Sequence, residues 1–277
     1  MSTGVQERSC WHLSGTVSYK IMIANYYTHT WRCNHASGTE EEYVRAAIDR
    51  GLEVLGFSDH TPYPFPWYHY SWFRMKTEDL GAYVATVMSL RQRYRDQIRI
   101  HIGVEAEYYP AYFPDLVDIL KDHRVEYMIL GQHYIDNELG AHYSGNPSGK
   151  LEHLKRYCYQ TMEAMQTGQY TYFAHPDLIN YTGDESNYRE YVRQLCREAK
   201  SCSIPLEINL LGLEKGKHYP NWRFWEIAAE EGCQAILGCD THEVKAMKST
   251  ASEEKALTMV RELGIDLLDT VMLRSVG

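Results

Sequence analysis

Residues of the types that bind metal ions stand at the ends of most of the segments that we predict to be β-strands. They follow six apolar, β-branched segments and are His29, His60, Glu105, His133, His175, and the pair Asp240 and His242. Imidazole is a common ligand for Zn, Fe and Mn ions, and a carboxylate can bridge two ions. One such residue carries little weight in a protein with 13 histidines. Six strand ends of this kind together predict a multinuclear metal site.

The spacing within two of these segments supports a shared site. Residues two apart on an extended chain point to the same side. Asp240 and His242 can therefore face one site together, as can Tyr27 and His29. Tyr27 breaks the pattern, because every other position carries an imidazole or a carboxylate.

The elements that would position these residues alternate between strand and helix. We predict strands near 20–27, 53–58, 98–105, 125–131, 171–174, 205–209 and 234–239, and helices near 39–50, 77–96, 113–122, 149–167, 185–202, 220–232 and 252–264. The first helix has a capping box, with Thr39 as N-cap and Glu42 three residues later, and Gly51 supplies its left-handed stop. This order predicts a parallel α/β sheet that closes into a barrel, with the active site at the carboxyl ends of the strands.

Composition limits the class of protein and its partners. The chain has 277 residues, a formal net charge of −9 and seven cysteines without a CxxC pair. An odd cysteine count predicts reduced thiols and a cytoplasmic location. We expect no membrane partner, because no apolar run approaches the roughly 18 residues that span a bilayer. We expect no nucleic-acid partner either, since phosphate backbones bind basic faces.

A small anionic substrate remains compatible with this charge, because bound divalent ions would reverse the local field. The first 20 residues carry charge and lack a continuous apolar stretch. We predict that 1–20 form a flexible leader, not a signal peptide, ahead of one domain over 21–277. The sequence gives no indication of the oligomeric state.

Six motifs, taken in order, resemble those of the PHP (polymerase and histidinol phosphatase) family. They are THTWRCNHASGTEEEY, GFSDHTPYPFP, GVEAEY, GQHY, AHPDL and GCDTH, and the resemblance runs from about residue 23 to beyond residue 245. Within the family the chain is similar to histidinol-phosphatase-like members. The resemblance implies a distorted (β/α)7 TIM-like barrel with two or three divalent ions, which would be Zn, Mn or Fe. The ligands it implies are His29, His35, His60, Glu105, His133, His175, Asp240 and His242, with Glu105 and Asp240 as bridging carboxylates.

The reaction implied by the resemblance is hydrolysis of L-histidinol phosphate to L-histidinol and phosphate, a late step of histidine biosynthesis. A metal-activated hydroxide would attack phosphorus in line while the ions neutralise the developing charge. No side-chain nucleophile is required, so the ligands themselves would form the catalytic machinery. The proton donor for the leaving alcohol stays open between Asp240, His242 and a coordinated water.

Tyr27 departs from the family's first motif, which is His-x-His where this chain has Tyr27-Thr28-His29. A phenol can bind metal as phenolate, but its pKa near 10 means that the metal must drive the deprotonation. It is also longer than imidazole. Tyr27 is therefore a ninth candidate ligand, and we hypothesise that the first ion is held weakly, by His29 and the bridging carboxylates.

Phosphate recognition is a second departure from some relatives, in which arginines near strands five and six hold the phosphate. The corresponding stretches here, 180–181 and 210–212, contain no arginine. The candidates elsewhere are Arg32, close to the first motif, and Lys215, Lys217 and His218 after the sixth strand, with Arg74 as an alternative. A solvated charged turn is the alternative interpretation of the three residues after strand six.

The aromatic loop 61–74 follows a predicted ligand directly. Its residues Tyr63, Phe65, Trp67 and Trp72 could stack on an imidazole or another flat group, or could simply pack the loop onto the barrel. We therefore expect an ordered loop over the site.

Two other functions keep the same fold. One is a phosphoesterase that acts on nucleotides or oligonucleotide ends, against which the acidic charge and the lack of a basic stripe weigh. The other is a metal-binding protein with impaired catalysis, because Tyr27 replaces a ligand histidine.

Overall fold

The computed structural model describes residues 22–277, which alternate between strands and helices. The strands are β1 (Ala24–Asn25), β2 (Val54–His60), β3 (Arg99–Ala106), β4 (Tyr127–Leu130), β5 (Tyr170–Phe173), β6 (Leu206–Asn209), β7 (Gln234–Gly238) and β8 (Asp266–Leu267). The helices are α1 (Glu40–Arg50), α2 (Leu80–Tyr94), α3 (Phe113–Asp122), α4 (Leu151–Gln166), α5 (Glu185–Ser201), α6 (Leu210–Lys215), α7 (Trp222–Glu230), α8 (Val244–Met247) and α9 (Ala251–Leu263). Short 3-10 turns cover Trp31–Cys33 and Thr77–Asp79. The predicted leader 1–20 lies outside the described residues.

The strands form one parallel sheet in chain order, from β1 to β8. A parallel bridge joins Thr28 to Thr241, and the His29 amide donates to the Thr241 carbonyl at 3.0 Å. Beyond their named strands, the β1 and β7 segments therefore meet and close the carboxyl-terminal rim. At the opposite end β8 pairs with the start of β7, through Gln234 and Asp266. The predicted distorted (β/α)7 TIM-like barrel is confirmed. It is distorted because β7 pairs with β8 at its start, whereas the segment after β7 pairs with the segment after β1.

The predicted capping box of α1 is confirmed. The Glu42 amide donates to Thr39 Oγ1 at 3.3 Å, and the Thr39 amide donates to Glu42 Oε2 at 2.7 Å. Gly51 ends the helix with a φ of 84°, in the left-handed region that glycine adopts without a Cβ clash.

The first strand is shorter than predicted because a side chain takes over its hydrogen bonds. Asn25 Oδ1 accepts from the amides of Tyr27, at 3.2 Å, and Cys239, at 2.9 Å, and Asn25 Nδ2 donates to the Tyr27 carbonyl at 3.1 Å. These bonds fix the backbone at Tyr27 without a continuous ladder. Helix α6 was not predicted; it begins at once after β6 because Asn209 Oδ1 caps the Gly212 amide at 2.8 Å.

The barrel interior below the rim is filled by buried aromatic residues. Tyr26, Tyr27, Tyr127 and Tyr172 share one cluster inside the sheet, and Tyr127 Oη donates to the Tyr26 carbonyl at 2.8 Å. The floor beneath the carboxyl-terminal rim is thereby closed.

Two further observations bear on the sequence predictions. The six cysteines within 22–277 are free, as the absence of a paired pattern predicts. Among the helices that the structure describes, none combines the length and the apolar character needed to cross a membrane.

Candidate metal centre

The strand ends bring the predicted ligands together at the carboxyl-terminal rim. In the β2–β3 register, His60 lies opposite Glu105. The bridge between Thr28 and Thr241 sets His29 beside the β7 end. The side chains that converge there are Tyr27, His29, His35, His60, Glu105, His133, His175, Asp240 and His242.

Glu105 lies at the centre of the cluster and is fully buried. Its Oε2 is 2.9 Å from His60 Nδ1 and 3.6 Å from His29 Nε2. Its Oε1 is 3.1 Å from His175 Nε2 and 3.4 Å from His133 Nε2. Four imidazoles therefore surround one carboxylate, with two facing each oxygen.

Asp240 lies on the other side of His29. Its Oδ1 is 3.2 Å from His29 Nε2 and 3.5 Å from His242 Nδ1, and its Oδ2 accepts from Asn209 Nδ2 at 3.1 Å. The His242 ring is 4.6 Å from the His35 ring between centroids. Among the described residues, four triads have all their ligand atoms within 4.8 Å of one another. Two of them share no residue: Glu105 with His133 and His175, and His35 with His60 and His242.

The buried atoms of this cluster are arranged for a cation. Within the described part of the chain, the following have no hydrogen-bond partner: His29 Nε2, His60 Nδ1, Glu105 Oε2, Asp240 Oδ1 and His242 Nε2. Native proteins rarely bury polar atoms unpaired, because desolvation is costly. Imidazole nitrogen and carboxylate oxygen are the donor set of Zn, Mn and Fe sites. The residues therefore fit divalent metal ions.

Outer partners fix the orientation of three of the imidazole rings. His29 Nδ1 is 3.3 Å from Asp59 Oδ1, His35 Nδ1 is 2.7 Å from the Cys33 carbonyl, and His133 Nδ1 is 3.0 Å from Glu107 Oε1. Such partners select the tautomer and leave the other nitrogen free for a metal. The sequence analysis missed Asp59 and Glu107 in this role. Their position, next to His60 and two residues after Glu105, is a signal that could have identified them.

The charges of the cluster are strongly coupled. Burial opposes ionisation of Glu105, but the charges of His60 and His133 outweigh it and hold its pKa well below the usual range. Burial and the neighbouring His29 lower the pKa of His242 to about 4. His29 itself has a raised pKa because its bonds to Asp240 and Asp59 outweigh its burial. Metal ligands must lose their protons, so the affinity for ions should fall as protons reload these imidazoles at low pH.

Tyr27 is buried in the wall of the site. Its Oη is 3.0 Å from His175 Nε2, and its ring centroid is 5.2 Å from that of His29. Burial, with the charges of Asp240 and Glu105, raises the pKa of the phenol well above its ordinary value. The protonated form of the phenol is therefore favoured, and it is in contact with a candidate ligand.

Glu207, from the middle of β6, is a buried acid that the sequence analysis missed. Its Oε2 accepts from the His175 amide at 2.9 Å and from Asn209 Nδ2 at 3.0 Å. Burial raises its pKa to about 8. An acidic residue between two apolar residues of a predicted strand was the available signal.

A cavity of about 750 Å³ opens over the cluster. Its aromatic walls are Trp72, Phe73, Tyr134, Tyr143 and Tyr219, and its cationic lining is Lys215 and Lys217. Only part of the aromatic loop 61–74 faces the cavity. Trp72 reaches it, while Tyr63 and Phe65 pack against Tyr109, at 4.9 and 6.1 Å between ring centroids. Trp67 is almost fully exposed.

Two of the predicted phosphate contacts, Arg32 and His218, lie outside the cavity lining. The Arg32 guanidinium is buried in an ion pair with Glu40, and it lies 4.7 Å from the Trp31 ring centroid. His218 Nε2 is bound to the Leu178 carbonyl at 2.8 Å. Both side chains are engaged by local partners that adjacency in sequence does not reveal. Arg74, the alternative, is likewise buried in ion pairs.

Gly131 makes room for the central carboxylate, which gives a first test. A Cβ at this position would lie 1.9 Å from Glu105 Oε1, so Gly131→Ala must displace that side chain. We expect the variant to lose about 1–3 kcal/mol of unfolding free energy, as overpacked cores do, and to bind less metal. Gly149→Ala is the matched control, because its nearest neighbour would be at 3.8 Å. Chemical denaturation and metal analysis should separate the two; equal behaviour would contradict the placement of Glu105.

Fold and site together define a barrel metalloenzyme with its candidate ligands at the carboxyl-terminal rim. Residues 25–210 match the model of the PHP domain, and the chain belongs to that family. Within the family it is a metal-dependent phosphatase of the histidinol-phosphatase-like kind.

Known proteins of this kind align along most of the chain. A Deinococcus radiodurans protein named "Probable histidinol-phosphatase" is 31% identical over 231 residues, which cover 80% of this chain and 86% of that protein. The histidinol-phosphatase of Lactococcus lactis is 25% identical over 265 residues, covering 89% and 93%. The crystal structure of L. lactis histidinol phosphate phosphatase, complexed with Zn, L-histidinol and phosphate, superposes with a TM-score of 0.70 at 22% identity, over 91% of this chain and 99% of that one. This superposition supports the fold.

Proposed function

We propose that this protein hydrolyses L-histidinol phosphate to L-histidinol and phosphate, with two or three divalent ions of Zn, Mn or Fe. The observation that carries the proposal is Glu105, a buried carboxylate with four imidazoles around it at the mouth of the barrel. The similarity to proteins named for histidinol phosphatase activity supports this choice of substrate.

The two triads would each hold one ion: Glu105, His133 and His175 the first, and His35, His60 and His242 the second. A third ion would depend on His29 and Asp240, beside Tyr27. When bound, such ions polarise a phosphoryl group and make water more acidic.

Asp240 and His242 are the residues that we propose to act on protons. The hydrogen bond and charge of His29, with the charge of His242, outweigh burial and lower the pKa of Asp240. Asp240 is thus ionised, and its Oδ1, which lies 3.2 Å from His29 Nε2, can accept a proton from the attacking water and pass it to the oxygen of the leaving alcohol. His242 is neutral at pH 7, since its pKa is about 4, and so presents a lone pair.

The cavity walls supply binding and orientation. Lys215 and Lys217 are the cations on the lining, and we assign them to the phosphate, whose charge they complement. Trp72 and Phe73 offer flat apolar faces on which an imidazole can stack.

Phosphate release from three substrates tests the proposal. L-histidinol phosphate, a 3′,5′-bisphosphate nucleotide and an aryl phosphate should be assayed side by side, with Zn, Mn or Fe added. We expect the first to give the highest kcat/KM. A higher kcat/KM for the nucleotide would show that the substrate is a nucleotide and not L-histidinol phosphate. No release from any of them, with ions bound, would identify a metal-binding protein with impaired catalysis.

The phosphate role of the lysines gives a second test. Replacing Lys215 and Lys217 together with Gln should raise KM for the phosphate ester about tenfold or more, because each bond to a charged group contributes about 1.5–3 kcal/mol. Steady-state kinetics checks this expectation. Lys248→Gln is the control, since Lys248 pairs with Asp49 at 2.8 Å and both residues lie outside the cavity lining. If both variants gave the same KM, the phosphate would have to bind elsewhere.

The cytoplasmic location and the absence of a nucleic-acid partner stay predictions from composition. The oligomeric state is open to measurement by light scattering.

A further inference from the structure

Arg74, at the end of the aromatic loop 61–74, is buried between two carboxylates. Its Nε donates to Glu138 Oε2 at 2.7 Å, its Nη2 donates to Glu107 Oε1, and its Nη1 reaches the Thr61 carbonyl at 3.4 Å. The side chain is 2% exposed. One planar fork thus joins three separate segments: the loop itself, the end of β3, and the segment after β4.

Glu107 connects this guanidinium to the candidate metal centre. The same oxygen that accepts from Arg74, Glu107 Oε1, lies 3.0 Å from His133 Nδ1. The other ring nitrogen, His133 Nε2, lies 3.4 Å from Glu105 Oε1. An uninterrupted series of contacts therefore runs from Arg74 through Glu107 to the imidazole that faces the central carboxylate.

The guanidinium also holds the cavity wall. Arg74 Cζ lies 4.4 Å from the centroid of the Phe73 ring, within the range of a cation–π contact. The Phe73 ring meets His60 edge-on at 5.2 Å between centroids. Phe73 and Trp72 both line the cavity, so the residue that ends the loop also sets where its aromatic side chains stand.

We propose that Arg74 is a positioning residue: it holds Glu107 on His133 and holds the aromatic loop against the cavity. The inference rests on the proposed role of His133 as a metal ligand. Outer-shell partners that orient a ligand typically contribute 10- to 100-fold to metal affinity or activity. Lysine cannot replace the fork, because its single ammonium cannot serve Glu107 and Glu138 with the same planar geometry.

Zn²⁺ affinity of the full-length protein tests this role without relying on turnover. Competition with a chromogenic chelator should show Arg74→Gln and Glu107→Gln each weakening one ion by about tenfold or more. The double variant should be no weaker than Glu107→Gln alone, because Arg74 acts through that carboxylate; such non-additivity is the signature of a shared pathway. Arg74→Lys should be intermediate, and it keeps the test available if Arg74→Gln fails to fold.

Arg91→Gln is the matched control. Arg91 forms a two-bonded pair with Glu126, at 2.8 and 2.7 Å, near the amino-terminal ends of β3 and β4. Its loss should leave Zn²⁺ affinity unchanged. Wild-type affinity in Arg74→Gln and Arg74→Lys, or additive losses in the double variant, would overturn the inference.

The inference and the proposed function can fail separately. His133→Ala should remove the same ion that Glu107→Gln weakens. If His133→Ala left every ion bound, the proposed ligand set would be wrong. If it removed an ion while the Arg74 variants did not weaken it, only the role of Arg74 would be lost.

Discussion

Glu105→Gln should lower kcat/KM by about 10³-fold or more, which is about 4 kcal/mol of transition-state stabilisation. The substitution keeps the size of the side chain and removes the charge that four imidazoles share. An amide also presents a donor toward nitrogens that must themselves face a cation. We therefore expect the variant to lose at least one ion per chain, measured by elemental analysis alongside the kinetics.

Glu126→Gln is the control for this change. Glu126 is bonded to Arg91 and to the Ile102 amide, at the far end of the barrel from the site. It should retain both metal and activity. Full metal content in Glu105→Gln would show that the central carboxylate is not a ligand.

Tyr27→His should raise the number of bound ions per chain by one and kcat/KM by about tenfold, a change of about 1.4 kcal/mol. The phenol Oη is 3.0 Å from His175 Nε2. It therefore occupies space beside His175 into which an ion would have to fit. Imidazole is shorter and offers a lone pair without first losing a proton, and it would complete a set with His29 and Asp240. Metal analysis and phosphate release from L-histidinol phosphate measure the two effects.

Tyr27→Phe separates ligation from steric exclusion. It keeps the ring and removes the hydroxyl, so it should gain no ion. A Tyr27→His variant that gains neither metal nor turnover would show that Tyr27 does not limit the site.

Most candidate ligands could be predicted because each one follows a strand whose local pattern is strong, whereas His35, in the loop before α1, was implied only by the family resemblance. A parallel barrel brings the carboxyl ends of its strands to one rim, so residues distant in sequence, such as His60 and Asp240, need no further information to meet. Helix boundaries could also be predicted from local sequence signals, as the capping box at Thr39 and Glu42 illustrates.

The remaining features depend on packing between distant segments. Arg32 has the right charge and lies near the first motif, but α1 presents Glu40 to it and the pair is buried away from the cavity. The role of Glu107 was not predicted, because it depends on contacts with Arg74 and His133, which lie in two other segments. The strand β8 has two residues, too few for any periodic pattern.

Anomalous diffraction from crystals of the Zn-loaded protein with phosphate would test the central claim most directly. We predict one peak among Glu105, His133 and His175, a second among His35, His60 and His242, and phosphate against both, toward Lys215 and Lys217. Crystals with no anomalous peak at either triad, under conditions in which elemental analysis finds Zn bound to the protein, would contradict the proposed metal centre.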